Sequence, residues 1–198
     1  METLDEYLRR LASHDPVPGG GSAAALIGAV AAALVAMVGR IASAPLEDVV
    51  DEADRLRDEL AAARLRDEAA FAAVVAAQAL PKDDEAQVQV RREALDAALQ
   101  GAAEEPLRAA GLALRVLELA LRLSEAKTKA LASDVGCAAE FAHAALAGCA
   151  YNVRVNHKYM HETEVIACQA EMLASYERDA SNILELVRAA VGAALARR

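Results

Sequence analysis

Apolar residues recur every three or four positions along most of the chain, the spacing that places them on one face of an α-helix. No convincing stretch shows the alternation of apolar and polar residues that is typical of strands. Prolines, glycines and short polar clusters divide the helical pattern. The sequence therefore predicts an all-α fold, an up-and-down bundle of about seven helices, over residues 4–13, 22–43, 46–80, 85–103, 106–126, 133–156 and 163–196.

The stretch from Pro16 to Gly39 contains no charged residue and is rich in Ala and Gly. A membrane span needs roughly 20 strongly apolar residues. The prolines and glycines that open this stretch cannot form lipid-exposed helix, and the remaining part, from Ala23 to Gly39, is shorter than that. We therefore predict no membrane span. We expect Ala23–Ile41 to be the central and most buried helix of the bundle.

Composition narrows the class of protein. The chain has 198 residues, of which 56% are hydrophobic and only 3% aromatic, which excludes disorder and favours packed helices over a sheet. Its net charge of −9 argues against a nucleic-acid partner. The length predicts one domain over residues 1–198. Three cysteines without a metal-binding spacing, and an N-terminus without a signal-peptide pattern, predict a cytoplasmic location.

The helix predicted over residues 46–80 bears on assembly. At 1.5 Å per residue it spans roughly 50 Å, which exceeds the diameter of a domain of this size. The helix therefore bends or contacts a second copy of the chain. Because its Ala-rich faces favour close helix contact, we expect a homodimer.

The first candidate site is the glycine-rich segment Pro16–Ser22, directly before the charge-free helix. Gly19, Gly20 and Gly21 let the backbone approach a ligand closely, and the helix start offers free N–H groups that suit an electron-rich group. The alternative is a tight turn that sets the entry angle of a buried helix. The residue pattern leaves both interpretations open.

Two candidates for proton transfer lie in and after the next helix. Asp67 borders an apolar face that includes Phe71, where a carboxyl group can have a raised pKa and act as an acid or a base. Lys82 follows Pro81 at a helix end and can bind an anion or act as an acid. For Asp67, the ordinary alternative is an ion pair with Arg64. For Lys82, it is a solvated side chain with no role in a site.

Polar residues also mark the start of the helix predicted over residues 133–156. Ser133 and Asp134 follow two lysines, Lys127 and Lys129, in an otherwise acidic protein. Asp134 is either a simple N-cap or, together with the lysines, part of a local anion site.

The other end of the same helix carries Asn152 and Asn156, four residues apart on one face, with Arg154 between them. Amide groups can hold the edge of a heterocycle; alternatively, they mark where the helix end meets solvent. His157 and His161 follow with the same spacing, but no third ligand is evident. We therefore predict no metal site.

Taken in order, these segments resemble the cyclodeaminase/cyclohydrolase family of tetrahydrofolate enzymes, which includes the C-terminal half of formimidoyltransferase-cyclodeaminase. The resemblance covers nearly the whole chain, and its first and last segments are the most specific. The matching segments are 16–24, 67–82, 106–107, 133–136 and 152–156.

The resemblance implies an all-helical homodimer that acts on a one-carbon unit of tetrahydrofolate, with no metal or further cofactor beyond the folate substrate. We favour slightly the cyclodeaminase reaction, which closes 5-formiminotetrahydrofolate to the 5,10-methenyl form and releases ammonia. The alternative is the cyclohydrolase reaction, in which water opens the methenyl form to 10-formyltetrahydrofolate. A non-catalytic helical module that binds folate or a partner protein is the second alternative.

The residues and the resemblance together suggest roles. Asp67, Lys82 and Asp134 are the candidates for proton transfer. The candidates for substrate binding are Pro18, Gly19, Gly20, Gly21, Ser22, Ser133, Asn152, Arg154 and Asn156. We predict one cleft, within or between subunits, lined by the glycine-rich segment and at least two of Asp67, Lys82, Asp134 and Asn152.

Overall fold

The computed structural model describes residues 2–42, 46–126 and 131–196, which form six α-helices and no strand. The helices are α1 (Leu4–Leu11), α2 (Gly20–Ile41), α3 (Glu47–Gln78), α4 (Glu85–Glu125), α5 (Ala132–His157) and α6 (Thr163–Leu195). Each helix from α2 to α6 packs against the next, and α2 also packs against α5. Helices α2 to α5 thus close into a four-helix bundle, with α6 against α4 and α5. The prediction of an all-α bundle is confirmed.

The described helices number six rather than about seven because α4 continues through Pro106, where the sequence predicts a break. Proline has no N–H, so the carbonyl of Ala102 loses its usual partner four residues ahead. The side chain of Asn156 on α5 replaces that partner, with Nδ2 donating to the Ala102 carbonyl at 2.8 Å. A hydrogen bond from a neighbouring helix therefore satisfies the carbonyl that proline leaves free.

Helix α2 lies at the centre of the bundle, as predicted. More than half of its residues are buried, a larger share than in any other described helix. Small side chains allow this close packing: a Cβ built on Gly148 of α5 would lie only 2.9 Å from the Cβ of Ala24. Among the described helices, α2 alone is long and apolar enough to cross a membrane, but 61% of its most apolar window is buried within the bundle.

Candidate active site

One cleft brings together several of the residues singled out in the sequence. It has a cavity volume of about 210 Å³ and lies where the start of α2, the second half of α3, the middle of α4 and the end of α5 meet. Its lining consists of Gly20, Gly21, Asp67, Phe71, Val74, Leu99, Ala102, Asn152, Val155, Asn156 and Tyr159. The described lining therefore contains one carboxyl group and no Lys or Arg.

The glycine-rich segment accommodates the carboxyl group of Asp67. The backbone N–H groups in the first turn of α2, which starts at Gly20, have no acceptor within the helix. Asp67 of α3 packs onto this turn so closely that a Cβ built on Gly21 would lie 2.6 Å from its carboxyl carbon. The backbone N–H of Ser22 is close enough to this carboxyl group to stabilise its charged form. The electron-rich group at this helix start is thus a side chain of the protein itself.

Burial raises the pKa of Asp67 from 3.8 to about 6. The backbone hydrogen bond from Ser22 opposes this shift because it stabilises the charged form, whereas the charges of Glu68 and Glu105 add to it. Such a carboxyl group populates both protonation states near neutral pH, so it can accept and return a proton.

Arg64, the sequence-based alternative partner of Asp67, is engaged elsewhere. Its Nη1 donates to Glu2 at 2.8 Å, and its guanidinium lies 4.6 Å from the centre of the Tyr7 ring. This arrangement leaves the Asp67 carboxyl group to the start of α2 and to the cleft.

Asn152 and Asn156 both line the cleft, and both use the amide nitrogen within the protein. Asn152 Nδ2 donates to the carbonyl of Gly148 at 2.9 Å. Asn156 Nδ2 donates to the carbonyls of Ala102 and Asn152, each at 2.8 Å. The carbonyl oxygen of each amide remains as an acceptor for a ligand in the cleft.

The remaining walls of the cleft are apolar. Val74, Leu99 and Ala102 belong to a small hydrophobic cluster that is separate from the main core. Phe71 and Tyr159 line the cleft and are partly exposed. Apolar walls with one carboxyl group and two amide oxygens suit a flat ring system whose edge carries polar groups.

Lys82 does not line the cleft of the single chain. Of the four residues of which at least two were expected there, Asp67 and Asn152 line it. Lys82 is exposed in the turn between α3 and α4, just before α4 begins at Glu85. Leu99, the first cleft residue of α4, lies 14 positions further along the helix, which corresponds to about 20 Å.

Ser133 and Asp134 are also outside the cleft, because they lie at the opposite end of α5. The helix begins at Ala132, so both residues lie in its first turn, and neither is the N-cap. From Asp134 to Asn152, α5 rises about 27 Å. Residues so far apart on one helix cannot line the same small cleft of one chain. Lys127 and Lys129, predicted to form an anion site beside them, lie outside the described residues.

Arg154 faces away from the cleft. A helix turns by 100° per residue, so a position two residues from both Asn152 and Asn156 lies on the opposite side. Its side chain pairs with Glu177 of α6 at 2.6 Å. Neither it nor Lys82 supplies positive charge to the cleft.

Three residues of the glycine-rich segment contribute less directly than predicted. Ser22 is fully buried, with its hydroxyl bonded to Tyr7 and Glu68, so only its backbone serves the site. Pro18 is buried and Gly19 is the N-cap of α2. Neither Pro18 nor Gly19 lines the cleft.

The sequence interpretation missed several lining residues. Helical spacing could have found some of them, because Val74 lies seven residues after Asp67, and Val155 and Tyr159 lie three and seven residues after Asn152. Nothing in the sequence distinguishes Leu99 from the other leucines of the chain, since packing between helices alone brings it to the cleft.

The two histidines considered as metal ligands have separate partners. His157 Nε2 lies 2.7 Å from Gln169 Oε1, and His161 Nδ1 lies 2.7 Å from Asp96 Oδ1. Within the described ranges, no three His, Cys, Asp or Glu side chains are grouped so that they could hold a metal ion.

Comparison with known proteins assigns the family. A sequence profile of the formiminotransferase-cyclodeaminase family matches residues 3–175, a range that includes the whole cleft. The chain belongs to this family. It is 36% identical over 166 residues to a methenyltetrahydrofolate cyclohydrolase of Methylorubrum extorquens, which covers 79% of this chain and 80% of that protein.

Two further relatives carry the other activity in their names. A formimidoyltransferase-cyclodeaminase of Rattus norvegicus is 30% identical over 169 residues, or 80% of this chain and 31% of that protein. The crystal structure of a formiminotetrahydrofolate cyclodeaminase from Thermotoga maritima superposes with a TM-score of 0.86 and 26% identity, over 98% of each chain. Both activities considered from the sequence therefore occur among the family members similar to this chain.

Proposed function

We propose that this family member is a methenyltetrahydrofolate cyclohydrolase in which Asp67 transfers the proton. The observation that carries the proposal is a carboxyl group with a pKa of about 6, seated on a helix start in a cleft with apolar walls and two amide oxygens. The similarity to the Methylorubrum extorquens cyclohydrolase, over about four fifths of both chains, favours this reaction over the cyclodeaminase reaction preferred from the sequence.

The charge of the cleft suits the reacting group. In 5,10-methenyltetrahydrofolate the carbon that water attacks lies between two nitrogens and shares their positive charge. The described lining contains a carboxyl group and no Lys or Arg. The resulting negative potential attracts and orients a cationic ring system.

The charged form of Asp67 accepts a proton from water while the oxygen bonds to the methenyl carbon. The carboxyl group then returns this proton to N5 as the bond between the carbon and N5 breaks. The hydroxyl group of the intermediate loses its proton to solvent and becomes the formyl carbonyl. One water is consumed and one proton released, and the product is 10-formyltetrahydrofolate. Holding water, carboxyl group and carbon in line is the main contribution of the cleft.

The cyclodeaminase reaction is the second candidate, favoured by the structural match to the Thermotoga maritima enzyme over nearly the full length of both chains. Here N10 attacks the carbon of the protonated formimino group, and Asp67 moves the proton from N10 to the nitrogen that leaves as ammonia. The same carboxyl group and the same geometry serve both reactions, because both pass through a tetrahedral carbon between two nitrogens.

The test mixes the purified protein separately with 5,10-methenyl- and 5-formiminotetrahydrofolate and follows methenyl absorbance and ammonia. We expect the protein to accelerate the loss of methenyl absorbance, and the Asp67→Asn variant to lose this activity. Release of ammonia with a gain of methenyl absorbance would establish the cyclodeaminase reaction instead. Binding of both compounds without turnover would contradict an enzymatic role and favour the non-catalytic alternative.

We also propose that the protein is a homodimer joined through the outer face of α2. This face carries Ile27, Val30, Leu34, Met37 and Ile41, which are exposed or partly buried. Their spacing of three and four residues is that of a coiled-coil seam. Each chain has a net charge of −9, so an uncharged face lets two copies meet without burying like charges.

Sedimentation or light scattering at micromolar concentration tests this assembly. We expect a dimer for the wild type and a monomer for Val30→Glu. Leu186→Glu, at an exposed leucine of α6 outside the seam, is the matched control and should stay dimeric. A monomeric wild type, or dissociation of both variants alike, would contradict the proposed interface.

A further inference from the structure

A line of polar side chains lies directly behind the cleft. The hydroxyl groups of Tyr7 and Ser22 are 3.0 Å apart, and Ser22 Oγ donates to Glu68 Oε1 at 3.0 Å. The other oxygen of Glu68 accepts from Arg10 Nη2 at 2.7 Å. Tyr7 is almost completely buried and Ser22 completely. The line therefore connects α1, the start of α2 and the middle of α3.

Ser22 contacts two neighbouring residues of α3, one through its hydroxyl group and the other through its backbone N–H. The side chain is held by Glu68, while the backbone N–H lies near the carboxyl group of Asp67 and stabilises its charged form. The first turn of α2 provides no acceptor of its own for this N–H. The position of Ser22 thus determines how the start of α2 meets Asp67.

We infer that Glu68 is a positioning residue that acts through Ser22 on the carboxyl group of Asp67. This inference rests on the proposed role of Asp67 in proton transfer. Glu68 does not line the cleft in which we propose that the substrate binds. It fixes the first turn of α2 in the orientation that bonds the Asp67 carboxyl group, and it also adds a negative charge beside it.

The effect of Glu68 on the position of the Asp67 carboxyl group can be separated from the effect of its charge. A second carboxylate affects the pKa of Asp67 without contacting Ser22. Glu105 of α4 adds to the raised pKa of Asp67, as Glu68 does. Its Oε2 is held by Arg66 and Arg108, each at 2.9 Å, and bonds no part of α2. The Glu105→Gln variant therefore removes a neighbouring charge and leaves Ser22 in place.

The remaining ionisable groups near Asp67 come from the other helices packed around it. The pKa values of Tyr7 of α1 and Cys149 of α5 are raised mainly by burial, and the charge of Asp67 adds to both shifts. Helix α2 carries no ionisable side chain before Arg40. Glu68 is thus the one group near Asp67 that combines a charge with a bond to the helix start, among the described residues.

The kinetic test is a double-mutant cycle with Glu68→Ala and Ser22→Ala. We expect each single variant to lower kcat about 10-fold with KM within about twofold, as for a slightly misplaced catalytic group. The double variant should lose no more than either single variant, since both remove the same contact. Glu68→Gln, which keeps an acceptor oxygen for Ser22, should recover most of kcat, and Glu105→Gln should stay within about twofold of wild type.

A second measurement needs no substrate. Hydrogen exchange of the Ser22 amide, followed by NMR, reports directly on its bond to Asp67. We expect exchange to be about 10-fold faster in Glu68→Ala and Ser22→Ala, and unchanged in Glu105→Gln. Glu68→Gln replaces Glu68→Ala if the alanine variant fails to fold, and it should then keep the slow exchange that Ser22→Ala loses.

The outcomes separate this inference from the proposed function. Unchanged Ser22 exchange and unchanged kcat in Glu68→Ala would overturn the positioning role, even if Asp67→Asn is inactive. Full activity of Asp67→Asn would overturn the role of Asp67, while the exchange rates would still decide whether Glu68 holds the start of α2. Additive losses in the double variant would show that Glu68 acts independently of Ser22 and would also contradict the inference.

Discussion

Asp67 and Asp134 are both close to a helix start, yet the structure gives them different surroundings. Asp67 projects from the middle of α3 onto the first turn of another helix, inside a cleft, where burial raises its pKa to about 6. Asp134 lies in the first turn of its own helix, α5. It is not among the described residues that line the cleft with Asn152. From sequence spacing alone, both were equal candidates for proton transfer.

The two aspartates differ in burial and in partners, although both are close to a helix start. A helix start alone stabilises the charged form of an acid. At Asp67 this stabilisation is outweighed by burial and by the charges of Glu68 and Glu105. The result is a group that can move a proton near neutral pH.

The largest expected effect is a difference in turnover between variants at Asp67 and at Asp134. Asp67→Asn should lower turnover of the methenyl substrate by about 100-fold or more, the usual scale for losing a general acid or base. Asp134→Asn should change it by less than about threefold, because Asp134 lies about 27 Å along α5 from Asn152. Steady-state kinetics of both variants checks this, and equal losses would mean that both ends of α5 contribute to one site.

A smaller loss of activity is expected when the first turn of α2, against which Asp67 packs, is changed. Gly21→Ala places a Cβ where the Asp67 carboxyl group lies, so this group must move. We expect kcat/KM to fall about 10- to 100-fold, in line with a displacement of about 1 Å. The control is Gly101→Ala in α4, where a Cβ meets nothing within 4 Å and should raise stability by about 0.5–1 kcal/mol. Wild-type activity in Gly21→Ala would show that the position of Asp67 on α2 is unimportant.

The smallest effect concerns the stability of the cleft wall. Asn156→Ala leaves the Ala102 carbonyl without a partner, which should cost about 1–3 kcal/mol in the free energy of unfolding. Pro106→Ala in the same background should recover part of this loss, because alanine, unlike proline, has a backbone N–H for that carbonyl. Urea unfolding measures both variants. Asn152→Ala is the control and should cost less, since the Gly148 carbonyl lies inside α5 and keeps its backbone bond.

Much of the fold was predictable because helical periodicity is a local property. The charge-free segment before Arg40 predicted the central position of α2, and its burial confirms this. The break predicted at Pro106 was wrong because the compensating hydrogen bond comes from Asn156, 50 residues further along the chain. A sequence pattern shows the missing N–H of a proline but not the distant group that replaces it.

The candidate site was predictable only in part for the same reason. The glycine-rich segment, Asp67 and Asn152 do meet in one cleft. The sequence left open whether the helix start binds a ligand or only turns the chain, and the structure places Asp67 there. Lys82 and Asp134 were included because they lie at helix ends and in segments that resemble the family, but neither lines the cleft of the single chain. No sequence pattern pointed to Glu68, because its proposed role depends on a buried contact with Ser22.

The central claim, that Asp67 transfers a proton in the reaction, is tested most directly by the pH dependence of kcat/KM with 5,10-methenyltetrahydrofolate. Only the charged form of Asp67 can accept a proton from water, and its pKa is about 6. The wild type should therefore rise about 10-fold per pH unit below pH 6 and level off above it, while the residual activity of Asp67→Asn should lack this rise. A flat wild-type profile, or the same rise in the variant, would contradict the account.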